Sequence, residues 1–521
     1  MTEKTLIPPH CNMSFFLYFF LTLSLISPTS FSQTFLHSNP EISNKFRNDT
    51  EAIQSASTDY GHIVHDPPLA IFNPTSTNDI QILLQLGNNG SLSPNIAPKG
   101  QSHSVRGQAM ADKGIVVNMI SLSSQGNSRI NVSENKVLGY FADVGGEQIW
   151  IDVLQETVKH GLTPVSWTDY LYLSVGGTLS NAGISGQSFR FGPQITNVYE
   201  MDVITGKGDL VTASPNNSSE LFHGVLGGLG QFGIITRARI ALVKAPTKVK
   251  WLRLLYTDFS AFTKDQESLI SMKGRMEKKG VDYVEGFVLM RQGPIDLSFY
   301  PIIDQLRVVK LVKTSGIVYG MELAKYYDDS TKNSIEKEIE ILVKRLSFVR
   351  SFVFEKDVGY VDFLNRVKAE EDKLRSIGMW DIPHPWMNLF VPKSRISDFD
   401  SGVFRDIFLK QNVPAALLLI YPTNKDKWDD RMSAMTPDED VFYAIGLLHA
   451  SGVKEVESFD NVNKQILQFC QKAGILMKQY LPHYETQADW ANHFGSKWKN
   501  FQNLKVEFDP KKILSPGQKI F

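Results

Sequence analysis

Short β-branched runs that alternate with Gly, Pro and Asn between Leu69 and Val243 constrain the fold more than any other feature of this chain. Runs of this kind are typical of strands, and strands are predicted at 114–118, 198–204 and 234–243. Between them, apolar residues recur at helical spacing, which predicts helices at 78–86 and 148–159. The mixture predicts an α+β domain.

The sequence pattern changes after Ala245-Pro246-Thr247. Beyond this point the predicted helices are longer and more charged, at 262–279, 334–346 and 360–377, and their alternating charges indicate solvent-exposed faces. Residues 33–65 are polar and lack periodicity, so we expect an irregular lead-in there. A chain of 521 residues is long enough for about two to four domains, and a domain boundary is predicted near residue 245.

Charge and cysteine content exclude several classes of protein. Lys and Arg number 54 against 55 Asp and Glu, which argues against a nucleic-acid binder that neutralises phosphates. The two cysteines, Cys11 and Cys470, exclude a disulfide scaffold and a cysteine-based metal site. His62-x-x-His65-Asp66 lacks matching ligands elsewhere, so we interpret it as an ordinary loop and expect no metal.

The N-terminus carries an apolar run from Phe15 to Ile26, broken only by Thr22 and Ser24. A spanning helix needs about 20 apolar residues, so this run is too short to cross a membrane. It has the length of a signal-peptide core, with small residues for cleavage after Ser32. We therefore expect a signal peptide at 1–32 and a secreted protein, with the vacuole or endoplasmic reticulum as other destinations. A buried N-terminal helix is the alternative.

Glycosylation triplets agree with a secretory route. They occur at Asn48, Asn89, Asn131, Asn216 and Asn217, all in polar, turn-like stretches. No second apolar stretch approaches the length of a membrane span. The mature protein is therefore expected to be a soluble glycoprotein.

Gly228-x-Gly230-x-x-Gly233 has the spacing of a dinucleotide-binding fingerprint. That fingerprint follows a strand and opens a helix, whereas here a predicted helix at 219–226 precedes it and a strand follows. We interpret the motif as a tight helix-to-strand turn.

The segment 99–108 places His103 among small residues just before a strand. Small residues let backbone N–H groups approach an anion such as a pyrophosphate. A histidine at this position could be a base, a ligand or a covalent attachment point. The alternative is a polar turn with a hydrogen-bonded histidine.

A second segment, 167–183, places Asp169 among aromatic residues ahead of a turn rich in Gly, Ser and Asn. Burial against Trp167 and Tyr170 would raise the pKa of Asp169 and suit it to proton transfer. The alternative is an aspartate that caps a helix.

Together these segments resemble the cytokinin dehydrogenases, within the vanillyl-alcohol-oxidase type of flavoproteins. The similarity runs from Tyr60 to Phe521, and the matching stretches are 167–186, 221–240, 282–286, 380–388, 421–424 and 514–518. One departure is visible, since the glycine that the family has before its attachment histidine is Ser102 here.

The resemblance implies a two-domain FAD-linked oxidase fold. A discontinuous FAD-binding domain would comprise residues 60–245 and 481–521. A substrate domain at 246–480, an antiparallel sheet with helices on one face, would be inserted between them. FAD would be attached covalently through His103.

The resemblance also implies the site residues. Those expected to hold FAD, besides His103, are Gly100, Gln101, Ser102, Ser104, Gln108, Asp169, Ser174, Ser180, Ile184, Ile235, Tyr480, Ser515 and Gln518. Those expected to contact the substrate are Glu285, Asp381, Trp386, Asn388 and Tyr421. Asp169 and Glu285 are the implied catalytic pair.

The implied reaction oxidises the side-chain amine of an N6-isoprenoid adenine to an imine, which water splits into adenine and an aldehyde. A quinone or oxygen would accept the electrons, and a monomer is expected. Two rival hypotheses stay open. A carbohydrate or alkaloid oxidase with a second, cysteinyl flavin link would need a cysteine near 175–177, where this chain has none. A non-catalytic hormone-binding flavoprotein would not need Asp169.

Overall fold

In this computed structural model, the residues described are 35–36, 39–90, 93–125, 129–272, 274, 280–414 and 417–521. The predicted signal peptide at 1–32, with Cys11 and the cleavage position at Ser32, lies outside these residues, as does Ser91 of the Asn89 glycosylation triplet. The chain forms two compact units, 1–46 and 47–521. In the first unit, Ser43–Lys45 form a single turn of 3-10 helix.

The second unit begins with a small parallel sheet and two helices. Its helices are α1 (Thr50–Ala56) and α2 (Thr77–Asn89), and its parallel strands are β1 (Ala70–Phe72), β2 (Ile96–Lys99) and β3 (Ile115–Asn118), with β3 between the other two. Helix α1 corrects the prediction of an irregular lead-in over 33–65. It forms because Asp49 accepts a hydrogen bond from the Ala52 N–H at the N-terminus and because Ala52 and Ala56 are buried.

A mixed set of strands and short helices follows. The strands are β4 (Ile130–Asn135), β5 (Gly139–Gly145), β6 (Leu162–Pro164), β7 (Val198–Thr205), β8 (Leu210–Ala213) and β9 (Gly233–Lys244), and the helices are α3 (Trp150–Val158), α4 (Val175–Leu179), α5 (Ser188–Phe191) and α6 (Ser219–Val225). The sheet is antiparallel in the order β4-β5-β9-β7-β8, and β6 also pairs with β9. Strand β9 is central and mostly buried, as its run of β-branched residues predicted.

The third sheet has eight strands. They are β10 (Lys248–Tyr256), β11 (Tyr283–Met290), β12 (Ile317–Tyr327), β13 (Val353–Gly359), β14 (Met387–Pro392), β15 (Leu417–Asn424), β16 (Val441–Leu448) and β17 (Lys478–Tyr480). All neighbours are antiparallel, in the order β13-β10-β12-β11-β15-β16-β14-β17. The seam predicted at 245–247 lies between the end of β9 and the start of β10.

Helices cover this sheet from both faces. They are α7 (Phe259–Ile270), α8 (Ile302–Ser315), α9 (Lys332–Lys344), α10 (Tyr360–Leu364), α11 (Arg366–Ser376), α12 (Ile396–Phe399) and α13 (Val456–Lys472), with a π-helical stretch at Asp400–Lys410, and α14 (Gln487–Phe494) and α15 (Trp498–Phe508) follow the sheet. Tyr319 of β12 packs in one core with α7, α9 and α13, whereas its neighbour Val318 packs with α8. Adjacent strand residues point to opposite faces, so the helices do not all lie on one face.

Three predicted helices differ in their bounds. The stretch predicted at 360–377 is broken at Asn365 into α10 and α11. The helix predicted at 262–279 begins earlier and ends at Ile270, while 275–279 lies outside the described residues. The helix predicted at 334–346 is α9, displaced by two residues.

The C-terminus returns to the first sheet. Ile96 of β2 donates its N–H to the Ile513 carbonyl at 2.7 Å, and the Ser515 N–H donates to the Ile96 carbonyl at 2.9 Å. This pairing brings the last residues of the chain beside the segment that begins at Gly100. No helix among the described residues combines the length and the apolar character needed to cross a membrane.

Candidate active site

A cavity of about 550 Å³ lies where the three sheets meet. Volumes of this size are typical of cofactor and ligand sites. The cavity is lined by all fourteen positions expected to hold FAD, namely Gly100, Gln101, Ser102, His103, Ser104, Gln108, Asp169, Ser174, Ser180, Ile184, Ile235, Tyr480, Ser515 and Gln518. The fold therefore brings together residues that are more than 400 positions apart in the sequence.

Glycines at the cavity wall are packed so closely that side chains would not fit. A Cβ added to Gly100 would lie 2.2 Å from the Ser174 Oγ, and one added to Gly230 would lie 2.5 Å from the Ser515 Oγ. Bare backbone at these points lets a ligand approach the main chain, as a pyrophosphate requires. These residues fit the FAD that the resemblance implies.

Ser102 adopts a left-handed backbone conformation, with φ of 59°. This conformation costs a non-glycine residue about 1–2 kcal/mol. The family's glycine at this position would adopt it without strain. Serine in place of the family's glycine at position 102 therefore strains the backbone next to His103.

His103 is stacked between two aromatic rings. Its ring centroid lies 4.1 Å from that of Tyr60 and 4.8 Å from that of Tyr170. Loss of solvent and the neighbouring His384 lower the pKa of His103 to about 3, so its imidazole is neutral at neutral pH. A neutral imidazole keeps a nitrogen lone pair, which a covalent bond to carbon requires. His103 is therefore an uncharged imidazole at the cavity wall, packed between two aromatic rings.

The sequence pattern did not reveal that Tyr60 and His384 stack in line with His103. The Tyr60 hydroxyl is 3.0 Å from Nε2 of His384, and the two rings are stacked at 4.1 Å. His384 itself lines the cavity. It lies in the stretch 380–388 that carried the resemblance, but nothing in its local pattern distinguished it from a loop histidine.

Asp169 lies at the cavity wall, with a quarter of its side chain exposed. Its Oδ1 accepts hydrogen bonds from the Tyr283 hydroxyl at 2.9 Å and from Arg366 Nη2 at 3.1 Å. Burial raises the pKa of Asp169, while Arg366 and Tyr283 oppose that rise. The helix-capping alternative is wrong, because the following helix, α4, has Ser174 at its N-cap.

Glu285 lies behind Asp169 rather than on the cavity wall. It is 6% exposed, on strand β11, and its Oε2 makes a short hydrogen bond with the Tyr283 hydroxyl. Burial, with a smaller effect from Asp169, raises the pKa of Glu285 well above its usual value. Glu285 acts on the cavity through Asp169 and Tyr283 in this arrangement.

Three of the five residues expected to bind substrate line the cavity. These are Trp386, which immediately precedes β14, Asn388 on β14, and Tyr421 on β15. Asp381 does not: its side chain is 65% exposed and is held by Arg375 Nη1 at 2.9 and 3.1 Å. The structure thus places Asp381 on the surface beside the cavity, in an ion pair.

The prediction of a solvated face along 360–377 is wrong at Arg366. This side chain is only 13% exposed and reaches Asp169, Glu285 and Glu322. Charge alternation in the sequence did not reveal it, because a basic residue that pairs with buried carboxylates looks the same as one in water.

The turn at 228–233 joins α6 to β9, as predicted. Leu229 and Gly230 both have positive φ, at 55° and 71°. Leu229, Gly230 and Gly233 nevertheless line the cavity, so the glycine-rich turn contributes to the site without being a dinucleotide fingerprint. Within the described ranges, no cluster of three or more His, Cys, Asp or Glu is arranged to hold a metal ion.

Family models match two parts of the chain. The model described as cytokinin dehydrogenase 1, FAD and cytokinin binding, matches residues 246–521. A model described as FAD binding domain matches residues 68–214. The two matches leave residues 215–245 between them uncovered.

Solved structures with the same fold are distant in sequence. A VAO-type flavoprotein from Myceliophthora thermophila C1 aligns with a TM-score of 0.63 at 13% identity, covering 86% of this chain and 79% of that one. Xylooligosaccharide oxidase from the same fungus aligns with a TM-score of 0.65 at 15% identity, covering 90% of this chain and 94% of the other. These likenesses show the fold, a two-domain α+β flavoprotein fold.

Relatives with curated names are much more similar in sequence. Cytokinin dehydrogenase 4 of Arabidopsis thaliana is 53% identical over 485 residues, which covers 91% of each chain. Cytokinin dehydrogenase 10 of Oryza sativa subsp. japonica is 50% identical and covers 93% of this chain and 90% of its own. The chain belongs to the cytokinin dehydrogenase family of FAD-dependent oxidoreductases.

Proposed function

We propose that this protein degrades cytokinins by dehydrogenating the N6-isoprenoid side chain of adenine, with FAD attached covalently through His103. The observation that carries the proposal is the position of Asp169, a carboxylate at the wall of a cavity that is otherwise mostly apolar. A base at the wall of such a cavity suits a substrate with an N–H proton to lose and an apolar tail.

The C–H bond next to N6 breaks, with both of its electrons leaving as hydride, and the N–H proton passes to Asp169 as the C=N bond forms. Bound FAD supplies the two-electron acceptor. Water then adds to the imine carbon and the C–N bond breaks, which releases adenine and an aldehyde. A quinone or oxygen reoxidises the cofactor.

The chain's own residues orient the substrate for this step. Trp386 and Tyr421 offer flat surfaces for a purine, and Leu419 and Leu448 offer apolar contact for an isoprenoid tail. Asn388 lines the same wall and has an amide that both donates and accepts hydrogen bonds.

Attachment through His103 is supported by its position and its charge state. It lies on the cavity wall, and its neutral imidazole has a lone pair available for the bond to FAD. Ser102, strained beside it, would slow attachment or alter how the loop packs.

The two rival functions make different demands. A carbohydrate or alkaloid oxidase with a cysteinyl link needs a thiol at the cavity, whereas Cys470 is buried in α13 and away from the lining. A binding protein would not turn over. Steady-state assays with isopentenyladenine and an artificial electron acceptor, with adenine as the measured product, separate these cases. Binding without adenine release would contradict the proposal.

We also propose that the protein enters the secretory pathway and is glycosylated. Asn48, Asn131, Asn216 and Asn217 are exposed, as a glycan requires. Protein from a eukaryotic host should begin near Gln33 and become smaller on deglycosylation. An intact Met1 with no glycan would refute this part of the proposal.

A further inference from the structure

The hydroxyl of Tyr283 has three hydrogen-bonding neighbours. It lies 2.9 Å from Asp169 Oδ1, makes a short bond with Glu285 Oε2, and accepts a hydrogen bond from Arg366 Nη2. The side chain is almost fully buried on β11, with its ring edge-on to that of Phe363. Two carboxyl groups therefore meet at one phenol oxygen.

A phenol carries a single proton, so it can donate to only one of these two carboxyl groups. Arg366 is a donor and cannot receive that proton. The other carboxyl oxygen lies within hydrogen-bonding distance of the same phenol oxygen, and this contact is attractive only if that carboxyl group is itself protonated. The geometry thus requires one extra proton among Asp169, Tyr283 and Glu285.

The charges around Asp169, Tyr283 and Glu285 also indicate one extra proton. The buried carboxyl groups are Asp169, Glu285 and Glu322, and the guanidinium groups are Arg366 and Arg253. The phenols of Tyr421 and Tyr480 also face it, and both stay protonated because burial raises their pKa. Arg253 also pairs with the half-exposed Asp296 at 3.5 Å, so three buried carboxylates against two cations leave at least one negative charge unpaired. Buried unpaired charge is costly unless a proton neutralises it.

Glu285 is the better place for that proton. Its side chain is 8% exposed against 25% for Asp169, and its Oε1 is buried with no hydrogen-bond partner in the described part of the chain. Asp169 has the closer contact to Arg366, at 3.1 Å against 3.5 Å for Glu285. The charged form is therefore favoured at Asp169 and the neutral form at Glu285.

We propose that Tyr283 is a positioning residue that joins Asp169 and Glu285 into one unit with a single shared proton, held on Glu285. Glu285 donates to the phenol oxygen, and the phenol donates to Asp169 Oδ1. Asp169 is thereby kept as the carboxylate, with Oδ2 free to face the substrate N–H. The inference rests on the proposed function, since it assigns the proton acceptor for that reaction.

The first test is the pH profile of flavin reduction by isopentenyladenine in rapid mixing. Reduction should slow at low pH as Asp169 becomes protonated. In Tyr283→Phe, Asp169 loses a donor that stabilises its charged form, so this acidic limb should move up by about one pH unit. The matched control is Tyr326→Phe, which removes another buried hydroxyl, bonded to Gln187, from the adjacent strand β12. Its limb should stay at the wild-type position.

The second test is Glu285→Gln, whose neutral amide resembles the protonated side chain that the proposal assigns. The acidic limb should then keep its wild-type position. An ionised Glu285 gives the opposite result: removal of a negative neighbour would move the limb to lower pH, by about one unit or more. That shift would overturn the proposal even if Tyr283→Phe failed to fold.

Binding of adenine, the proposed product, adds a measurement that does not depend on turnover. Its effect on the flavin absorption spectrum, followed against pH, should show the same limb in wild type and in Glu285→Gln. Failure of the wild-type flavin to be reduced by isopentenyladenine would instead refute the proposed function. If the wild-type flavin is reduced but the acidic limb of Glu285→Gln is shifted, only the proposal of a shared proton on Glu285 is refuted.

Discussion

Replacement of Asp169 by asparagine should separate proton transfer from folding and binding. The amide keeps the shape of the side chain, and its oxygen can still accept from Tyr283 and Arg366. Arg366 also retains Glu285 and Glu322 as partners, so we expect a stability loss of only about 1–2 kcal/mol. What the amide cannot do is accept the N–H proton.

The expected kinetic cost follows from that loss. Removal of a general base slows a reaction by about 10²–10⁴-fold, or about 3–5 kcal/mol of transition-state stabilisation. Asp169→Asn should therefore keep its flavin and most of its substrate affinity, while flavin reduction by isopentenyladenine slows by that factor. By contrast, Asn388→Ala, which removes a polar contact expected to hold the substrate before and during the reaction alike, should mainly raise KM.

Asp282→Asn is the matched control. This substitution also removes a mostly buried carboxylate. The Asp282 carboxylate accepts a hydrogen bond from Arg190 at 2.7 Å and lies away from the cavity lining. It should lower stability yet leave the rate of flavin reduction near that of wild type. A near-wild-type rate in Asp169→Asn itself would remove Asp169 from the mechanism and make it a structural residue.

Three further predictions follow from single positions. Acid-denatured wild-type protein should stay yellow, whereas His103→Ala should release or never bind its flavin; a colour that survives denaturation in His103→Ala would place the link elsewhere. Ser102→Gly should relieve the left-handed strain and raise the free energy of unfolding by up to about 1 kcal/mol, measured by chemical denaturation. His449 is fully buried, and within the described residues neither ring nitrogen has a hydrogen-bond partner; burial lowers its pKa to about 4. The unfolded chain therefore takes up the proton first as pH falls, and stability declines from about pH 6.5 towards 4 by about 1.4 kcal/mol per unit. His449→Leu should flatten that decline, and an unchanged slope in urea titrations would contradict the assignment.

The periodicity of the sequence predicted elements whose burial is regular. Strand β9 and helices α2 and α3 have nearly the predicted bounds, because each buries one face or both against the core. Helix α1 was missed, since its stability comes from an N-cap at Asp49 and two small alanines rather than from a broad apolar face.

The candidate site was predictable where the chemistry is local. Small residues around His103, and aromatic residues around Asp169, marked two segments that the fold brings to one cavity. Tyr283 and Arg366 could not be found in this way. Their role depends on the meeting of β11 with α11, 81 to 83 positions apart along the chain, and a single sequence does not reveal that contact.

The most direct test of cytokinin oxidation is the visible spectrum of the purified protein during anaerobic addition of isopentenyladenine. We expect a protein-bound flavin band that bleaches when this substrate is added, that does not bleach with xylobiose, and that recovers on addition of a quinone. Adenine should appear in proportion to the flavin reduced. A flavin band that isopentenyladenine leaves unchanged would contradict the proposal that this protein oxidises cytokinins.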